Sequence, residues 1–244
     1  MLDDMGILRD AVEAYRAAAT ATGIAWPGQP ARDTGHADRP PDMVYRLFHV
    51  DHIAEQLIWL ESQGWHSQPL LPGGGGLLPW PTDPSATFED LSFSIATPFP
   101  WRHQMPLFGF DHIVYTFVLT GDRVGEIWRS TIDPDASETV RAATSLAGLF
   151  TQWTKGIEGN VVSNRQHVSW LQVGEGFREP FDALLERVPD LDPFAFPVDL
   201  LSHEPLLRTR QRECGVDMTC IDNTENCHDE LRSEIEAALA SLGT

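Results

Sequence analysis

Ile113-Val114-Tyr115-Thr116-Phe117-Val118-Leu119 is an uncharged run in which every residue but the last is β-branched or aromatic. A run of this length and composition, bounded by turn residues, reads as a strand buried on both faces. Thr120-Gly121-Asp122-Arg123 supplies the turn, and Val124 to Ile132 returns as the second arm of a hairpin. Upstream, Leu91, Phe93 and Ile95 alternate with small or polar residues, so the whole stretch from Phe88 to Asp133 reads as β-rich.

Helical patterns flank this block. Leu8, Val12, Tyr15 and Ala19 follow 4-3-4 spacing in a helix over 4–22, with Asp3 or Asp4 at its start and Gly23 at its end. A long surface connection rich in Pro, Gly, Asp and Arg runs from Trp26 to Pro41. Val44 to Phe48 reads as a short strand. Asp51 then caps a helix reaching Gln63, with Ile53, Leu57 and Leu60 on one face. After the β-rich block, Asp135 and Glu138 form a capping box for a helix whose apolar face is Ala143, Leu146, Phe150, Trp153 and Ile157. Further on, Phe181, Leu184, Leu185 and Val188 mark a short helix opened by Pro180. Helices are also expected over Pro205 to Cys214 and along Leu231, Ile235, Ala238 and Leu242.

The chain has 244 residues, of which 42% are hydrophobic, with eight Trp and twelve Phe. It is long enough to bury a core without disulfides, which excludes a wholly disordered chain and a disulfide-dependent miniprotein. Thirty-six acids face 17 bases, for a formal net charge of -19, and the single lysine is Lys155. Residues 179–244 carry 15 of those acids and 5 of the bases. Such a field disfavours nucleic-acid binding and attracts a basic partner, although acidity also serves solubility alone. No segment has the roughly 20 apolar residues of a membrane span. The acidic start, Met1 to Met5, lacks a cationic leader, and the odd cysteine count argues against a disulfide framework. A cytoplasmic protein is expected.

Motifs for chemistry are weak. His49, Asp51, His52 and Glu55 could share a metal in a small hydrolase, but His49 precedes the expected helix, the H-E-x-x-H pattern is absent, and a capping Asp with surface histidines explains the same residues. Cys214, Cys220, Cys227 and His228 lack the short Cys pairs of structural zinc sites. Asp222 to Asn226 lacks the central Gly of a calcium loop. Gly73 to Gly76 is followed by Leu77-Leu78-Pro79-Trp80 rather than the Lys-Ser/Thr of a phosphate loop. No nucleophile elbow is present, and Ser145 is explained by helix packing. Neither a cofactor nor a metal is expected.

One block has a recognisable order: Pro106-Leu107-Phe108-Gly109-Phe110-Asp111, the strand Ile113 to Leu119, Gly121-Asp122-Arg123-Val124-Gly125-Glu126-Ile127-Trp128, and Ala142 to Phe150. It resembles the core of the SUKH superfamily, the Smi/Knr-like proteins, over roughly residues 44–158. The Leu-Pro entry and Gly-Gly turn usual there have only loose counterparts in Arg39-Pro40-Pro41-Asp42 and Gly73 to Gly76. The resemblance implies an α+β fold with a twisted, mainly antiparallel central sheet flanked by helices. Residues 179–244 then form an acidic helical extension of a single 1–244 domain. It also implies a non-enzymatic protein, of the immunity type that neutralises a cognate bacterial toxin, often a nuclease or a base-modifying enzyme, by direct binding. A regulatory scaffold whose acidic C-terminal helices recruit a partner is an alternative. The expected contact residues are Trp80, Asp83, Glu89, Asp90 and Trp101, carboxylates flanking aromatic anchors, unless both tryptophans belong to the core.

Overall fold

The computed structural model describes residues 4–26, 40–63, 65, 68–80, 103–131, 138–164, 170–174, 180–222 and 224–242; within its helices, the side chains of Asp4, Arg187, Cys220, Asp222, 224–228 and Leu231 lie outside the description. The expected alternation at Leu91, Phe93 and Ile95 therefore falls outside the described residues.

The architecture is α+β. Strands β1 (Gly76–Leu77), β2 (Gln104–Phe110), β3 (Ile113–Val118), β4 (Ile127–Thr131) and β5 (Val140–Ala143) form an antiparallel sheet in chain order. The run that opened the sequence reading is the central strand, and all six residues of β3 are buried. Tyr115 pairs with Phe108 on one side and Arg129 on the other. The register slips between Pro106 and Phe108. A bulge at that point suits a proline, which has no N–H to give the ladder.

Helix α1 (Asp4–Ala21) packs along α4 (Leu146–Glu158). Leu8, Val12, Tyr15 and Ala19 are each no more than 1% exposed, and Gly23 ends the helix segment at φ 92°, a conformation that favours glycine. From α4, Phe150 and Trp153 meet Phe108, Phe110 and Tyr115 of the sheet. Phe108 and Trp153 have centroids 5.5 Å apart, and Phe110 and Tyr115 are 4.8 Å apart. Tyr15 of α1 closes the cluster edge-on to Phe150 at 5.5 Å, and Trp65 stacks on the same ring at 5.7 Å and 11°. These edge-on and offset geometries are the ones the ring quadrupole favours.

Three local readings are corrected. Val44 to Phe48 is not a strand but most of helix α2 (Asp42–Phe48), which buries Val44, Leu47 and Phe48 at helical spacing. Asp51 does not cap α3 (Glu55–Ser62); Ala54 occupies the cap position and offers no side-chain bond. Glu138 opens no helix. It leads into β5, and α4 starts only at Leu146, where the Ser145 hydroxyl accepts from the Gly148 N–H at 3.0 Å. Ser145 is therefore an N-cap rather than a mid-helix residue, and Ala143 belongs to a strand. Leu146, Phe150, Trp153 and Ile157 do form the buried face.

The four glycines have a steric explanation. Gly73 and Gly74 adopt φ 77° and 80°, and a Cβ on Gly75 would lie 2.0 Å from the Phe110 ring. The turn also reaches β7 (Leu171–Val173), which pairs with β6 (Val162–Asn164), through a Gly73 N–H donating to the Leu171 carbonyl at 2.6 Å.

The acidic last quarter supplies α5 (Pro180–Arg187), α6 (Glu204–Glu213), α7 (Met218–Asp222) and α8 (Thr224–Leu242). Between α5 and α6, the chain from Ala195 to Leu201 lies across the sheet as a strap. Tyr115 Oη and Trp153 Nε1 both donate to the Ala195 carbonyl, at 3.1 and 2.7 Å. Arg129, wholly buried on β4, donates to the Phe196 and Val198 carbonyls at 2.5 and 2.8 Å. Glu138, also buried, accepts from the Leu200 and Leu201 N–H groups at 2.7 and 3.1 Å and from Thr131 Oγ1 at 2.8 Å. Without strand partners, the strap would leave the Val198 carbonyl and the Leu200 N–H buried and unpaired, and the two charged side chains satisfy them instead. A contiguous set of buried apolar residues runs from Leu8 to Ala238 and includes Phe196, Leu200 and Ile235 of the last quarter.

Candidate functional site

Trp80 follows β1, where Leu78 N–H donates to the Leu107 carbonyl, and its side chain is packed into the core at 9% exposure. Its indole Nε1 is buried without a hydrogen-bond partner among the described residues. Trp80 is thus core, as the alternative reading allowed, and not an exposed anchor. Asp83, Glu89, Asp90 and Trp101, the other expected contact residues, lie outside the described residues.

His49 stands at the C-terminal end of α2 in a left-handed conformation, φ 54°, with its N–H donating to the Tyr45 carbonyl. It lines an open groove with Tyr45, Arg46, Asp51 and the end of α8 at Ser241 and Leu242. His49, Asp51 and His52 are surface residues, and no group of three or more His, Cys, Asp or Glu side chains placed to hold a metal occurs among the described residues. Cys214 is a buried free thiol at the end of α6. Its proposed zinc partners Cys220, Cys227 and His228 have side chains outside the description. The backbone on both sides of Asn223 is helical.

A second concavity, about 150 Å³, opens beside the first turn of α4. Arg141, Thr144, Gly148, Gln152, Asp192 and Arg210 line it. Two guanidiniums beside a helix N-terminus suggest an anion site, but each already holds a carboxylate. Arg141 Nη1 donates to Glu126 at 2.8 Å, and Arg210 pairs with Asp192. Arg210 also covers the Phe194 ring at 5.0 Å. The pairs leave the cavity balanced in charge, and Arg210 with Asp192 ties α6 to the segment that leads into the strap.

The outer surface of the last quarter differs in character. Leu185 on α5, Leu201 in the turn that ends the strap and Leu206 in the first turn of α6 are 46%, 48% and 46% exposed. His203 joins these elements: its ring stacks on Phe181 at 4.4 Å, and Nε2 bonds Asp182 Oδ1 at 2.8 Å. Exposed carboxylates at Glu186, Asp199 and Glu204 lie among the leucines in sequence. The sequence marks α5 as a helix without separating exposed Leu185 from its buried neighbours Phe181 and Leu184. The 3-4 spacing of Phe181, Leu184, Leu185 and Val188 does not say which residue the helix leaves outside.

No family model matches the chain, and neither a curated protein nor a solved structure matches it. No helix among the described residues is long and apolar enough to cross a membrane.

Proposed function

We propose that this chain is a non-enzymatic binding protein that occupies a basic protein partner, in the manner of the toxin-neutralising Smi/Knr-like proteins its sequence resembles. The observation that carries this reading is the net charge of -19. A surface of one sign attracts a partner of the other, raises the association rate and suppresses wrong partners. An antiparallel sheet backed by helices, in the strand–hairpin–helix order of that superfamily, supports the same reading. A nuclease or base-modifying toxin, built to hold nucleic acid, presents the basic surface that carboxylates can occupy.

The test is kinetic. Association with the captured partner slows with added salt, because the screening length falls from about 10 Å at 0.1 M to about 3 Å at 1 M, while dissociation changes less. A salt-insensitive association rate removes the electrostatic basis of the proposal. Turnover of a small-molecule substrate by the purified chain overturns the binding-protein reading itself.

A further inference from the structure

We infer that the surface formed by Leu185, Leu201 and Leu206 is where the basic partner docks, and that the docking segment is cationic and amphipathic. The inference rests on the binding-protein reading and goes further by assigning a face and the chemistry of its occupant.

Four observations converge there. The three leucines are half of the large apolar side chains left exposed among the described residues, the others being Ile7 in α1, Val124 in the turn before β4 and Trp170 before β7. Leu201 and Leu206 flank His203, which is stacked on Phe181 and bonded to Asp182. Leu185 follows Asp182 by three residues, so it shares that face of α5. The strap is clamped by Arg129 and Glu138, and Leu201 at its end donates its N–H to Glu138, so this anchor loses little freedom on binding.

The charge of the surroundings selects the occupant. Residues 180–213, the elements that carry the leucines, contain seven acids against four bases, and two of those bases, Arg208 and Arg210, are already paired with Glu204 and Asp192, so the exposed carboxylates Glu186, Asp190 and Asp199 leave a net negative rim. Leucines among carboxylates have the layout of an interface in which apolar anchors are buried and the charged rim steers. A second copy of the chain would bring the same negative field and be repelled. A lysine- or arginine-rich segment with an apolar stripe complements both features.

The full-length chain is titrated with a synthetic peptide of leucine and lysine at heptad spacing, which presents one apolar and one cationic helix face. Two double variants are compared, Leu201→Lys with Leu206→Lys and Ile7→Lys with Val124→Lys. They change the net charge equally, so general electrostatic attraction affects both alike. Both are first required to keep the wild-type denaturant midpoint. Should the 201/206 pair fail that requirement, Glu204→Gln with Leu206→Ser replaces it. The expected result is a loss of affinity of about tenfold or more at 201/206 and less than about twofold at 7/124. Peptide-dependent protection from hydrogen exchange should fall on 180–187 and 201–213. Equal weakening by both pairs, or protection elsewhere, overturns this surface while leaving a binding protein in place. Self-association that disappears in the 201/206 variant assigns the face to a second copy and overturns the basic occupant. Salt-insensitive capture of the native partner, by contrast, strikes at the broader reading.

Discussion

Helix α4 meets α1 and the strap through contacts of different kinds. Towards α1, Phe150 and Trp153 sit among Tyr15, Trp65 and Phe108, a ring-on-ring contact whose strength scales with buried apolar area. Towards the strap, the same Trp153 donates a hydrogen bond to Ala195, and the neighbouring anchors are a buried arginine and a buried glutamate. The first contact tolerates small shifts, because dispersion and burial are non-directional. The second depends on donors and acceptors in register, because any group left unmatched is buried without water. Area thus holds the N-terminal helix to α4, and directed hydrogen bonds position the acidic quarter.

Breaking the first contact has the largest expected effect. Phe150→Ala removes a ring with no measurable exposure and four aromatic neighbours within about 6 Å, and should lower stability by roughly 3–5 kcal/mol. An unchanged denaturant midpoint would refute the packing. Arg129→Met follows, at about 2–4 kcal/mol, because it leaves the Val198 carbonyl without its donor and the Phe196 carbonyl with the Val198 N–H alone, while relieving one buried charge. Combined with Glu138→Leu, its cost should be non-additive if the strap docks as a unit. Additive costs from calorimetry would mean that the two clamps act separately.

Alkaline titration separates the two contacts by a smaller effect. Burial pushes the phenols of Tyr15 and Tyr115 well above their ordinary range; Arg129 pulls Tyr115 back only in part. The unfolded chain therefore releases these protons first, from a pH of about 10, while the folded chain still holds them. Protein stability should fall as pH rises beyond that point, by up to about 1.4 kcal/mol per pH unit for each phenol. Tyr15→Phe removes the share of the ring cluster and Tyr115→Phe that of the strap, as denaturant midpoints measured from pH 9 upwards should reveal. A variant with the wild-type slope would show that its phenol does not carry the effect. The smallest change is Ser145→Ala, which loses the cap of α4 and should cost about 1 kcal/mol in thermal unfolding.

What the sequence could reveal follows the same division. The strand Ile113 to Val118 and the face of α1 were legible because burial repeats at fixed spacing. Val44 to Phe48 carried a helical signal too, apolar at 44, 47 and 48 after Pro41-Asp42, that its β-branched and aromatic residues obscured. Glu138 looked like half of a capping box because the partners that explain it, the N–H groups of Leu200 and Leu201, lie more than 60 residues away. Arg129, alternating with Trp128 and Ser130, would pass for an outward-facing residue until Phe196 and Val198 are placed above it. Trp80 could not be assigned to core or contact by composition, and only its 9% exposure decides. Periodicity encodes contacts within an element, whereas a side chain bonded to a distant backbone leaves no period to read.

The chain-order arrangement of the five strands also has a kinetic consequence. Adjacent strands β2 to β5 find their partners across short connections, so the loops to be closed are small and the search is fast. The strap must wait for partners 42 to 80 residues distant, Trp153 and Tyr115, which that search has already positioned. Sheet and α4 are therefore expected to form the folding nucleus, with the strap docking on the downhill side of the barrier. Substitutions at Arg129 and Glu138 should then accelerate unfolding far more than they slow folding. The acidic quarter would be the last part of the molecule to acquire its shape and the first to lose it.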